Sequence, residues 1–468
     1  MSKAMSTLAQ VLPWIPGGKL VGDGSIAFHR VHTDTRTLQH GDLFVALKGE
    51  SFDANNFLGQ AGANGAVAAI AHRGKIPSGM AGIEVDDTRL ALGALAAGWR
   101  AQFNLPLIAV TGSNGKTTVT QMIASILRAW KPDEMLATAG NFNNDIGLPL
   151  TLLRLRAEHR VGVLELGMNH PGEIAYLAKI ARPTVAMVNN AQREHQEFMA
   201  TVEAVARENG SVIESLGPEG IAVFPAGEEF TPVWMQLTQS RTRMTFGSAG
   251  EHTQGQQADI VLAGTEWQGG HWQVSVQTPA GPLNFRLHIA GRHNVRNCLA
   301  AIACGLAAGA PLEAIAQGLE AFEPVKGRSR AAQVTVGTRT ITLIDDTYNA
   351  NPDSVRAAID VLAELPGPRL AVLGDMGEVG DQGPQFHQEI GEHARAQGIE
   401  QLFTIGDQSQ VMGGWHFTDI ESLKTAVISE LTTASSVLVK GSRFMQMERV
   451  VQAITAHAQQ QKGAPNAA

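Results

Sequence analysis

The residues best suited to chemistry lie in the stretch TGSNGKTT, residues 111–118. Gly112 and Gly115 permit a tight turn, Lys116 supplies a positive charge, and Thr117 supplies a hydroxyl. The apolar run LPLIAV precedes the turn and the helical pattern TVTQMIASILRAW follows it. A turn between a strand and a helix directs backbone N–H groups and the positive helix end at one point, which is typical of a phosphate-binding loop.

A full phosphate-binding loop of the G-x-x-x-x-G-K-[ST] type would place its first glycine at position 110, where this chain has Val110. The alternative interpretation is a tight glycine turn with a capping threonine. We favour a nucleotide site, because the strand, the turn and the helix all lie where phosphate binding requires them.

Two further residues follow strand-like runs that would neighbour this loop. Glu165 ends the run RVGVLE, and His195 follows PTVAMVNN. The carboxyl ends of parallel strands meet at one edge of a sheet, and Mg²⁺ prefers oxygen ligands. Both residues are therefore candidate metal ligands, although a solvated strand end and a structural histidine are the simpler alternatives.

Three later segments combine polar residues with strand or helix ends. In GRHNVRN, residues 291–297, Asn294 is a candidate helix N-cap, and the alternative is a polar clamp on a purine formed with His293 and Asn297. The segment LIDDTYNANPDS carries more polar groups than a strand-to-helix turn requires, which favours a ligand site. The segment VLVKGSRFM is equally consistent with an anion site and with a solvated loop.

The elements that position these residues alternate between short β-branched runs and helical patterns, which predicts an α/β fold with parallel sheets. We predict three α/β domains, at residues 1–103, 104–326 and 327–468. The Gln-, Gly- and Thr-rich stretch 226–290 is expected to form an antiparallel elaboration of the second domain. The third domain is expected to contain a second doubly wound sheet.

The composition excludes several functional classes. The chain has 468 residues, a formal net charge of −8 and two cysteines, so we expect no nucleic-acid partner, no disulfide framework and a reducing compartment. The first residues lack a signal-peptide pattern. The apolar run from Cys298 to Leu312 is too short to cross a bilayer and is expected to form a buried helix. We expect a cytoplasmic protein without a membrane partner.

Taken together, these motifs resemble those of the Mur ligases, the ATP-dependent amide-forming enzymes of peptidoglycan synthesis. The motifs occur in the family's order and run through nearly the whole chain: TGSNGKTT, ELG, the histidine after VNN, GRHNVRN, IDDTYNANP, VLGDMGEVG and VLVKGS. That family uses the shortened G-x-x-G-K-T loop, which accounts for Val110. The resemblance implies a small α/β N-terminal domain, a central P-loop ATPase domain and a C-terminal Rossmann-like domain.

Three strings are most similar to the branch of the family that joins D-alanyl-D-alanine to UDP-N-acetylmuramoyl-tripeptide: TDTRTLQHGDLFVALKGESFDANNF, GNFNNDIGLPLTLL and DDTYNANPDS. The resemblance implies an acyl-phosphate mechanism with ATP and Mg²⁺ as cofactors, in a monomeric enzyme. Two alternatives stay open: another ligase of the superfamily, such as an amino-acid-adding enzyme or folylpolyglutamate synthase, and a non-ligase ATP-dependent switch.

The resemblance also implies roles for individual residues, with Lys116, Glu165 and His195 as the catalytic group. The implied ligands of ATP are Gly112, Ser113, Asn114, Gly115, Lys116, Thr117, Thr118, Asn294 and Asn297 (adenine), Asp346 (ribose) and Arg328 (phosphates). Those of magnesium are Thr117, Glu165 and His195. The implied substrate-binding residues are Thr33, Asp34, Thr35, Arg36 and Lys48 for the UDP-sugar, Asn143 and Asn144 for the central substrate, and Tyr348, Asn349 and Asn351 for D-alanyl-D-alanine.

The chain departs from the family pattern in two places. Thr35 stands where the family usually has serine, which keeps the hydroxyl. In ARENGSVIE, Asn209 stands at the position of a lysine that is commonly carbamylated to bridge magnesium, and Ser211 stands at that of a glutamate. Either another carboxylate such as Glu208 supports a second metal, or the enzyme works without that bridge.

Overall fold

The computed structural model describes residues 4–194, 199, 201–268 and 270–463. Its main sheets follow one another along the chain, and each lies within one of the three predicted domain ranges. The α/β fold class and the parallel sheets are confirmed. The exact domain boundaries stay a prediction.

The first sheet has the strand order β2-β7-β6-β5-β4, with β2 antiparallel and the other strands parallel. Its strands are β2 (Lys19–Val21), β4 (Arg30–His32), β5 (Asp42–Val45), β6 (Ala66–His72) and β7 (Ala81–Val85), while β1 (Ser6–Thr7) pairs with β3 (Ala27–Phe28). The accompanying helices are α1 (Leu8–Val11), α2 (Leu58–Ala63) and α3 (Thr88–Arg100). One hydrophobic cluster runs from Leu8 to Trp234, so this unit packs directly on the central one.

The central sheet has the order β18-β17-β16-β13-β12-β11-β8-β10-β9. Its strands are β8 (Leu107–Thr111), β9 (Met135–Ala137), β10 (Val161–Glu165), β11 (Val185–Val188), β12 (Ile221–Pro225), β13 (Thr242–Ser248), β16 (Ile260–Gln268), β17 (His271–Thr278) and β18 (Gly281–Leu287). The pairs from β9 to β16 are parallel, and β16, β17 and β18 pair antiparallel. The antiparallel elaboration predicted for residues 226–290 is thus confirmed for β16 to β18 and does not extend to β13, which lies in the same stretch and pairs parallel with β12 and β16. A separate short ribbon joins β14 (His252–Thr253) to β15 (Gln256–Gln257).

Strand β8 lies between β10 and β11 and pairs parallel with both. The carboxyl ends of the three strands therefore lie at the same edge of the sheet. Each residue of β8, β10 and β11 is buried, which explains their nearly continuous apolar sequences. The helices of this unit are α4 (Lys116–Trp130), α5 (Gly147–Leu152), α6 (Glu173–Ala181), α7 (Val202–Glu214), α8 (Thr231–Thr238), α9 (Arg292–Ala307) and α10 (Leu312–Glu320).

The third sheet has the order β19-β20-β24-β21-β22-β23 and is parallel except for the β19–β20 hairpin. Its strands are β19 (Arg330–Val336), β20 (Arg339–Asp346), β21 (Arg369–Gly374), β22 (Gln401–Ile405), β23 (Trp415–Phe417) and β24 (Ser436–Lys440). Helices pack on both faces: α11 (Pro352–Ala363), α12 (Gly383–Ala396), α13 (Ile420–Glu430) and α14 (Glu448–Gly463). The expected second doubly wound sheet is confirmed.

Two local predictions were wrong. The apolar run from Cys298 to Leu312 is not one helix, because α9 ends at Ala307 and Gly309 adopts a positive φ of 91° before α10 begins. Asn294 is not an N-cap, because Gly291 occupies the cap position and Asn294 lies inside the first turn of α9. In the part of the chain that the structure describes, no helix combines the length and the apolar character needed to cross a membrane.

Helix α10 approaches α4 closely at Gly318. A Cβ at this position would lie 2.6 Å from the backbone nitrogen of Ile126, a distance that real Cβ atoms do not adopt. The contact is with helix backbone, so a side-chain rotation cannot relieve it. Gly318 therefore sets the spacing between α10 and the helix that begins in the glycine-lysine turn.

We predict that Gly318→Ala lowers the free energy of unfolding by about 1–3 kcal/mol, because overpacking forces the two helices apart. Thermal unfolding of the purified protein measures the effect. Gly217→Ala is the control, because nothing lies within 4 Å of a Cβ built there. Equal melting temperatures for the two variants would contradict this view of the α4–α10 contact.

Candidate active site

A cleft of about 940 Å³ lies between the central and C-terminal units. It brings together residues from distant parts of the sequence: 113–118, 143–145, 165, 189–190, 192–194, 293–294, 296–297, 327–329, 346, 348–354 and 440. Most of the residues that the sequence predicted for nucleotide, metal and acceptor binding line this single space. Their predicted roles are not tested by this proximity alone.

The glycine-lysine turn forms an open helix N-terminus. Gly112 and Gly115 have positive φ values of 134° and 79°, which other residues rarely adopt. Gly115 is the N-cap of α4, and no side chain makes a capping hydrogen bond there. The alternative of a capping threonine was therefore wrong, and the positive end of α4 faces the cleft without a side-chain acceptor.

Neighbouring asparagines also require glycine at position 115. A Cβ there would lie 2.5 Å from Oδ1 of Asn297 and 2.6 Å from Nδ2 of Asn189. These two side chains are hydrogen-bonded to each other at 2.9 Å, and Asn189 Nδ2 also donates to the carbonyl of Asn114. Asn297 in turn donates to Oδ1 of Asn294, whose Nδ2 donates to Ala290 O. The amide network thus joins α9 to the turn, and contact of Asn294 and Asn297 with adenine stays a prediction.

Lys116 is held inside the turn. Its Nζ donates to the carbonyls of Gly112 and Ser113 and forms a 2.6 Å ion pair with Oε1 of Glu194. Both side chains of the pair are largely buried, at 15% and 7% exposure. The ammonium group therefore lies at the loop, close to where the helix N-terminus would hold an anion.

Asn209 supports the loop from behind. Its Oδ1 accepts hydrogen bonds from the Thr111 hydroxyl at 2.6 Å and from the Gly112 amide at 3.1 Å. The side chain is buried, and its Nδ2 has no hydrogen-bond partner among the described residues. Glu208, the residue before Asn209 on α7, accepts a hydrogen bond from the amide of Ile174, at the start of α6. Glu208 is thus bonded to α6, and Asn209, at the expected lysine position, is bonded to the glycine-lysine turn.

The magnesium prediction has one direct test in the geometry. Glu165 Oε1 accepts from Thr117 Oγ1 at 3.1 Å and from Asn143 Nδ2 at 2.7 Å. Oε2 of Glu165 is buried and has no hydrogen-bond partner within the described ranges. A buried carboxylate oxygen without a donor, beside a hydroxyl, fits a hard cation. His195 lies outside the described residues.

The described side chains alone do not form a complete metal cage. Among them, no group of three or more His, Cys, Asp or Glu residues lies together as a metal site. Mg²⁺ commonly keeps waters and binds through one or two protein groups together with substrate phosphates. The pair of Thr117 and Glu165 is consistent with that manner of binding.

In the C-terminal unit, Asp346 and Lys440 form a largely buried ion pair of 2.6 Å, with 13% of the Asp346 side chain exposed. The amide of Ser329 also donates to Asp346, and Lys440 Nζ donates to the carbonyl of Asn349. Burial by itself favours the neutral form of Asp346, but Lys440 and the Ser329 amide outweigh it and hold the pKa of Asp346 below its ordinary value. Asp346 is thereby a charged acceptor at the cleft.

Tyr348 lies beneath two guanidinium groups. The Cζ atom of Arg328 is 4.1 Å from the centre of its ring, and that of Arg443 is 5.7 Å away. Arg328 therefore lines the cleft over an aromatic ring, and its contact with phosphates stays a prediction.

Ser442, beside Arg443, is buried, and its hydroxyl has no hydrogen-bond partner within the described residues.

The residues predicted for the UDP-sugar lie apart from this cleft. Among the described residues that line the cleft, there is no member of the predicted UDP-sugar group, which is Thr33, Asp34, Thr35, Arg36 and Lys48. Asp34 caps a short 3₁₀ turn and pairs with Arg36, whose side-chain and backbone N–H groups lower the pKa of Asp34 to about 2. Of the two residues predicted for the central substrate, Asn143 binds Glu165, whereas Asn144 accepts from the amide of Gly147 at the start of α5.

Sequence reasoning missed a group of residues directly after β11. Asn189, Asn190, Gln192, Arg193 and Glu194 all contact the glycine-lysine turn or the C-terminal unit. The polar run NNAQRE is visible in the sequence, but the prediction singled out only His195, which follows it. Backbone proximity to the loop, which the sequence does not reveal, gives these residues their contacts.

Comparison with known proteins identifies three matching family models. They are the Mur ligase family catalytic domain at residues 27–100, the Mur ligase middle domain at residues 110–305, and the Mur ligase glutamate ligase domain at residues 329–461. Together they span most of the chain.

Individual relatives agree with these matches. The chain is 40% identical to the UDP-N-acetylmuramoyl-tripeptide–D-alanyl-D-alanine ligase of Escherichia coli, over 97% of this chain and 98% of that protein. A crystal structure of MurF from Acinetobacter baumannii has a TM-score of 0.88 and 36% identity, covering 97% of this chain and all of that one. A MurF ligase structure from Thermotoga maritima in complex with ADP has a TM-score of 0.82 and 26% identity, covering 92% of this chain and 98% of that one.

We predict that Lys440→Met lowers the free energy of unfolding by about 3 kcal/mol at pH 8, because it leaves the Asp346 carboxylate buried without its cation. In the parent protein the pKa of Asp346 is lowered, so the pair's contribution is present above pH 3.8, the ordinary value, and is lost as the pH falls through the lower folded-state pKa. Without Lys440, burial raises that pKa instead. The loss should therefore be smaller at pH 5 than at pH 8.

Urea denaturation at the two pH values measures this difference. The double variant Lys440→Met with Asp346→Asn is the control, because it removes both charges and should show little pH dependence relative to the parent. A loss in Lys440→Met that is the same at pH 5 and pH 8 would show that the ion pair is not its cause.

Proposed function

The chain belongs to the Mur ligase family, and from this premise we propose that it joins D-alanyl-D-alanine to UDP-N-acetylmuramoyl-tripeptide in a reaction driven by ATP. The observation that carries this proposal is the shared cleft. An uncapped helix N-terminus with its lysine opens into the same space as the polar loop 346–351 of the C-terminal unit. A nucleotide and an amine acceptor can therefore meet there.

The chemistry explains why a ligase needs such a cleft. A carboxylate does not condense with an amine in water, because its oxygen is a poor leaving group. Transfer of the γ-phosphoryl group of ATP to the peptide carboxylate gives an acyl phosphate and ADP. The amine of D-alanyl-D-alanine then attacks the carbonyl carbon, and the tetrahedral intermediate expels phosphate while the nitrogen loses a proton. The products are the amide, ADP and inorganic phosphate.

Lys116 and the first turn of α4 would bind the phosphate groups. The backbone N–H groups at Gly115 and after it point along the helix axis toward the cleft, and negative charge is favoured at that end. Lys116 would exchange Glu194 for a phosphate oxygen and neutralise charge as the phosphoryl group moves. Asn209 holds the Gly112 amide and the Thr111 hydroxyl in place during this exchange.

We propose Thr117 and Glu165 as the groups that hold Mg²⁺, because Glu165 Oε2 is buried without a hydrogen-bond donor in the described part of the chain. When bound, the ion would neutralise the charge on the phosphate oxygens. Asn143 orients the Glu165 carboxylate through Oε1. A contribution from His195 stays a prediction.

The remaining assignments are part of the same proposal. Asn294, Asn297, Asp346 and Arg328 would contact the nucleotide, and Tyr348, Asn349 and Asn351 the acceptor dipeptide. The UDP portion would lie in the N-terminal unit, outside the cleft. Substrates bound on separate units become aligned only when those units meet, so their approach both orients the reactants and excludes water. The monomeric state and the cytoplasmic location stay predictions.

Acceptor dependence separates the proposed ligase from its alternatives. A slow ATP-dependent switch would release phosphate without an added dipeptide. Another ligase of the superfamily would prefer a single amino acid. Wild-type protein with ATP, Mg²⁺ and UDP-N-acetylmuramoyl-tripeptide should release phosphate at least about 10-fold faster when D-alanyl-D-alanine is added, a rate ratio equivalent to about 1.4 kcal/mol.

We predict that Lys116→Ala reduces this acceptor-dependent phosphate release by at least about 100-fold, equivalent to about 2.7 kcal/mol of transition-state stabilisation. A coupled phosphate assay measures the rate. Lys179→Ala, an exposed lysine on α6, is the matched control and should retain parental turnover. Near-parental turnover in Lys116→Ala would refute the assignment of the loop.

We predict that Glu165→Gln raises the Mg²⁺ concentration needed for half-maximal turnover by about 10-fold or more, because the neutral amide loses the charge that attracts the cation. Glutamine can still accept from Thr117 and Asn143, so the fold should persist. A magnesium titration of the phosphate assay measures the shift.

Glu158→Gln at an exposed loop position serves as the control for the lost negative charge. An unchanged magnesium requirement in Glu165→Gln would exclude Glu165 as a ligand.

A further inference from the structure

The segment 190–194 after β11, here called the coupling segment, is bonded to the glycine-lysine turn along its length. The Asn114 amide donates to Asn190 Oδ1 at 2.8 Å, and its Nδ2 donates to Gln192 Oε1 at 2.7 Å. The Gln192 amide donates to Ser113 Oγ, and Glu194 pairs with Lys116. The position of this segment is therefore tied to the position of the turn.

Arg193 lies in the middle of the coupling segment and contacts the C-terminal unit instead. Its guanidinium binds Asp353 through Nη2 at 2.7 Å and Glu389 through Nη1 at 2.9 Å. Its backbone amide also donates to Asp353 at 2.9 Å, and its Cζ lies 5.2 Å from the centre of the Phe386 ring. One side chain thus contacts both α11 and α12.

The geometry makes this contact more specific than an ordinary surface ion pair. The arginine fork engages two carboxylates in fixed directions, and its side chain is only 25% exposed. Asp353 lies in the first turn of α11. The positive end of the helix stabilises a carboxylate there even without the arginine. Asp353 is thus held at the point where the arginine reaches α11.

A second link joins the same two places. Asn351 Nδ2 donates to Asn114 Oδ1 at 3.0 Å, while Asn351 Oδ1 caps α11 by accepting from the Ser354 amide. Asn351 therefore connects the start of α11 directly to the turn. The coupling segment and Asn351 form two parallel connections between the turn and α11.

We propose that Arg193 is a positioning residue for the amide-forming reaction. It holds α11 and α12 against the coupling segment, and so places the acceptor-binding loop 346–351 opposite the nucleotide turn. This inference rests on the proposed function for its consequence in catalysis. Its structural part, the distance between the two units, can be measured without any turnover.

The structural test uses spin labels at Glu219→Cys in the central unit and Asp407→Cys in the C-terminal unit, both exposed loop positions. Cys298 and Cys304 are buried, and burial raises the pKa of both thiols, so labelling is directed to the introduced cysteines. Double electron–electron resonance then measures the distance distribution. We expect Arg193→Ala to broaden it and shift it to longer distances, and Arg193→Lys to do so less.

The kinetic test compares acceptor with nucleotide. We expect Arg193→Ala to raise the KM for D-alanyl-D-alanine by about 10-fold, corresponding to about 1.4 kcal/mol. The affinity for magnesium-ATP should fall by a smaller factor, because the glycine-lysine turn stays in the central unit and only Asp346 and Arg328 move with the C-terminal unit. Asp353→Asn should give the same pattern, and the double variant should add little to either single change. Arg207→Ala, which removes an exposed ion pair with Glu203 on α7, is the matched control and should change neither value.

The two proposals fail in different ways. Unchanged distances together with an unchanged KM in Arg193→Ala would overturn the role of Arg193, whatever the reaction. Wild-type protein that releases no acceptor-dependent phosphate would overturn the proposed function, while the distance measurement would still decide whether Arg193 holds the units together. A KM for D-alanyl-D-alanine that rises equally in Arg207→Ala would also overturn the role of Arg193.

Discussion

The N-terminus of α4 imposes the constraint on which the site depends. A helix that begins with glycine at its cap exposes backbone N–H groups and a positive end, and no side chain of its own satisfies them. Such an end needs hydrogen-bond acceptors, which water or a bound anion supplies, and its positive charge favours the anion. The cleft, the lysine beside the turn and the carboxylate of Glu165 are all arranged around this requirement.

Buried amides convert that helix end into a defined site. Asn189, Asn209 and Asn297 each bond to the turn or to a residue that bonds to it. Asn189 and Asn297 approach so closely that a Cβ at position 115 would lie within 2.6 Å of both side chains. Each such bond contributes only about 1 kcal/mol, but leaving a buried donor unsatisfied costs more. The main effect of the network is therefore to select one loop conformation, and its contribution to the free energy of unfolding is smaller.

Asn209 illustrates how a departure from a family pattern acquires a physical meaning. At a position where a carbamylated lysine would bring a carboxylate toward metal, the asparagine instead accepts from Thr111 and Gly112. Glu208, considered as a substitute carboxylate, binds the start of α6. Asn209 thus supports the glycine-lysine turn, and Glu165 has a buried carboxylate oxygen without a hydrogen-bond partner among the described residues, as a cation ligand would.

The sequence alone determined the elements whose signals are local. The apolar run before TGSNGKTT, the glycines within it and the amphipathic pattern after it predicted β8, the turn and α4, and the β-branched runs of the third region predicted β20, β21, β22 and β24. Only the tertiary structure decided which polar residues form hydrogen bonds and ion pairs with each other. Arg193 with Asp353, 160 positions apart, and Asn114 with Asn351, 237 apart, meet because separate sheets bring their strand ends to one cleft, and no local pattern encodes that distance. The Asn294 cap prediction failed for a local reason: α9 begins at Arg292, so Asn294 lies inside its first turn and bonds to Ala290 and Asn297, within four residues along the chain.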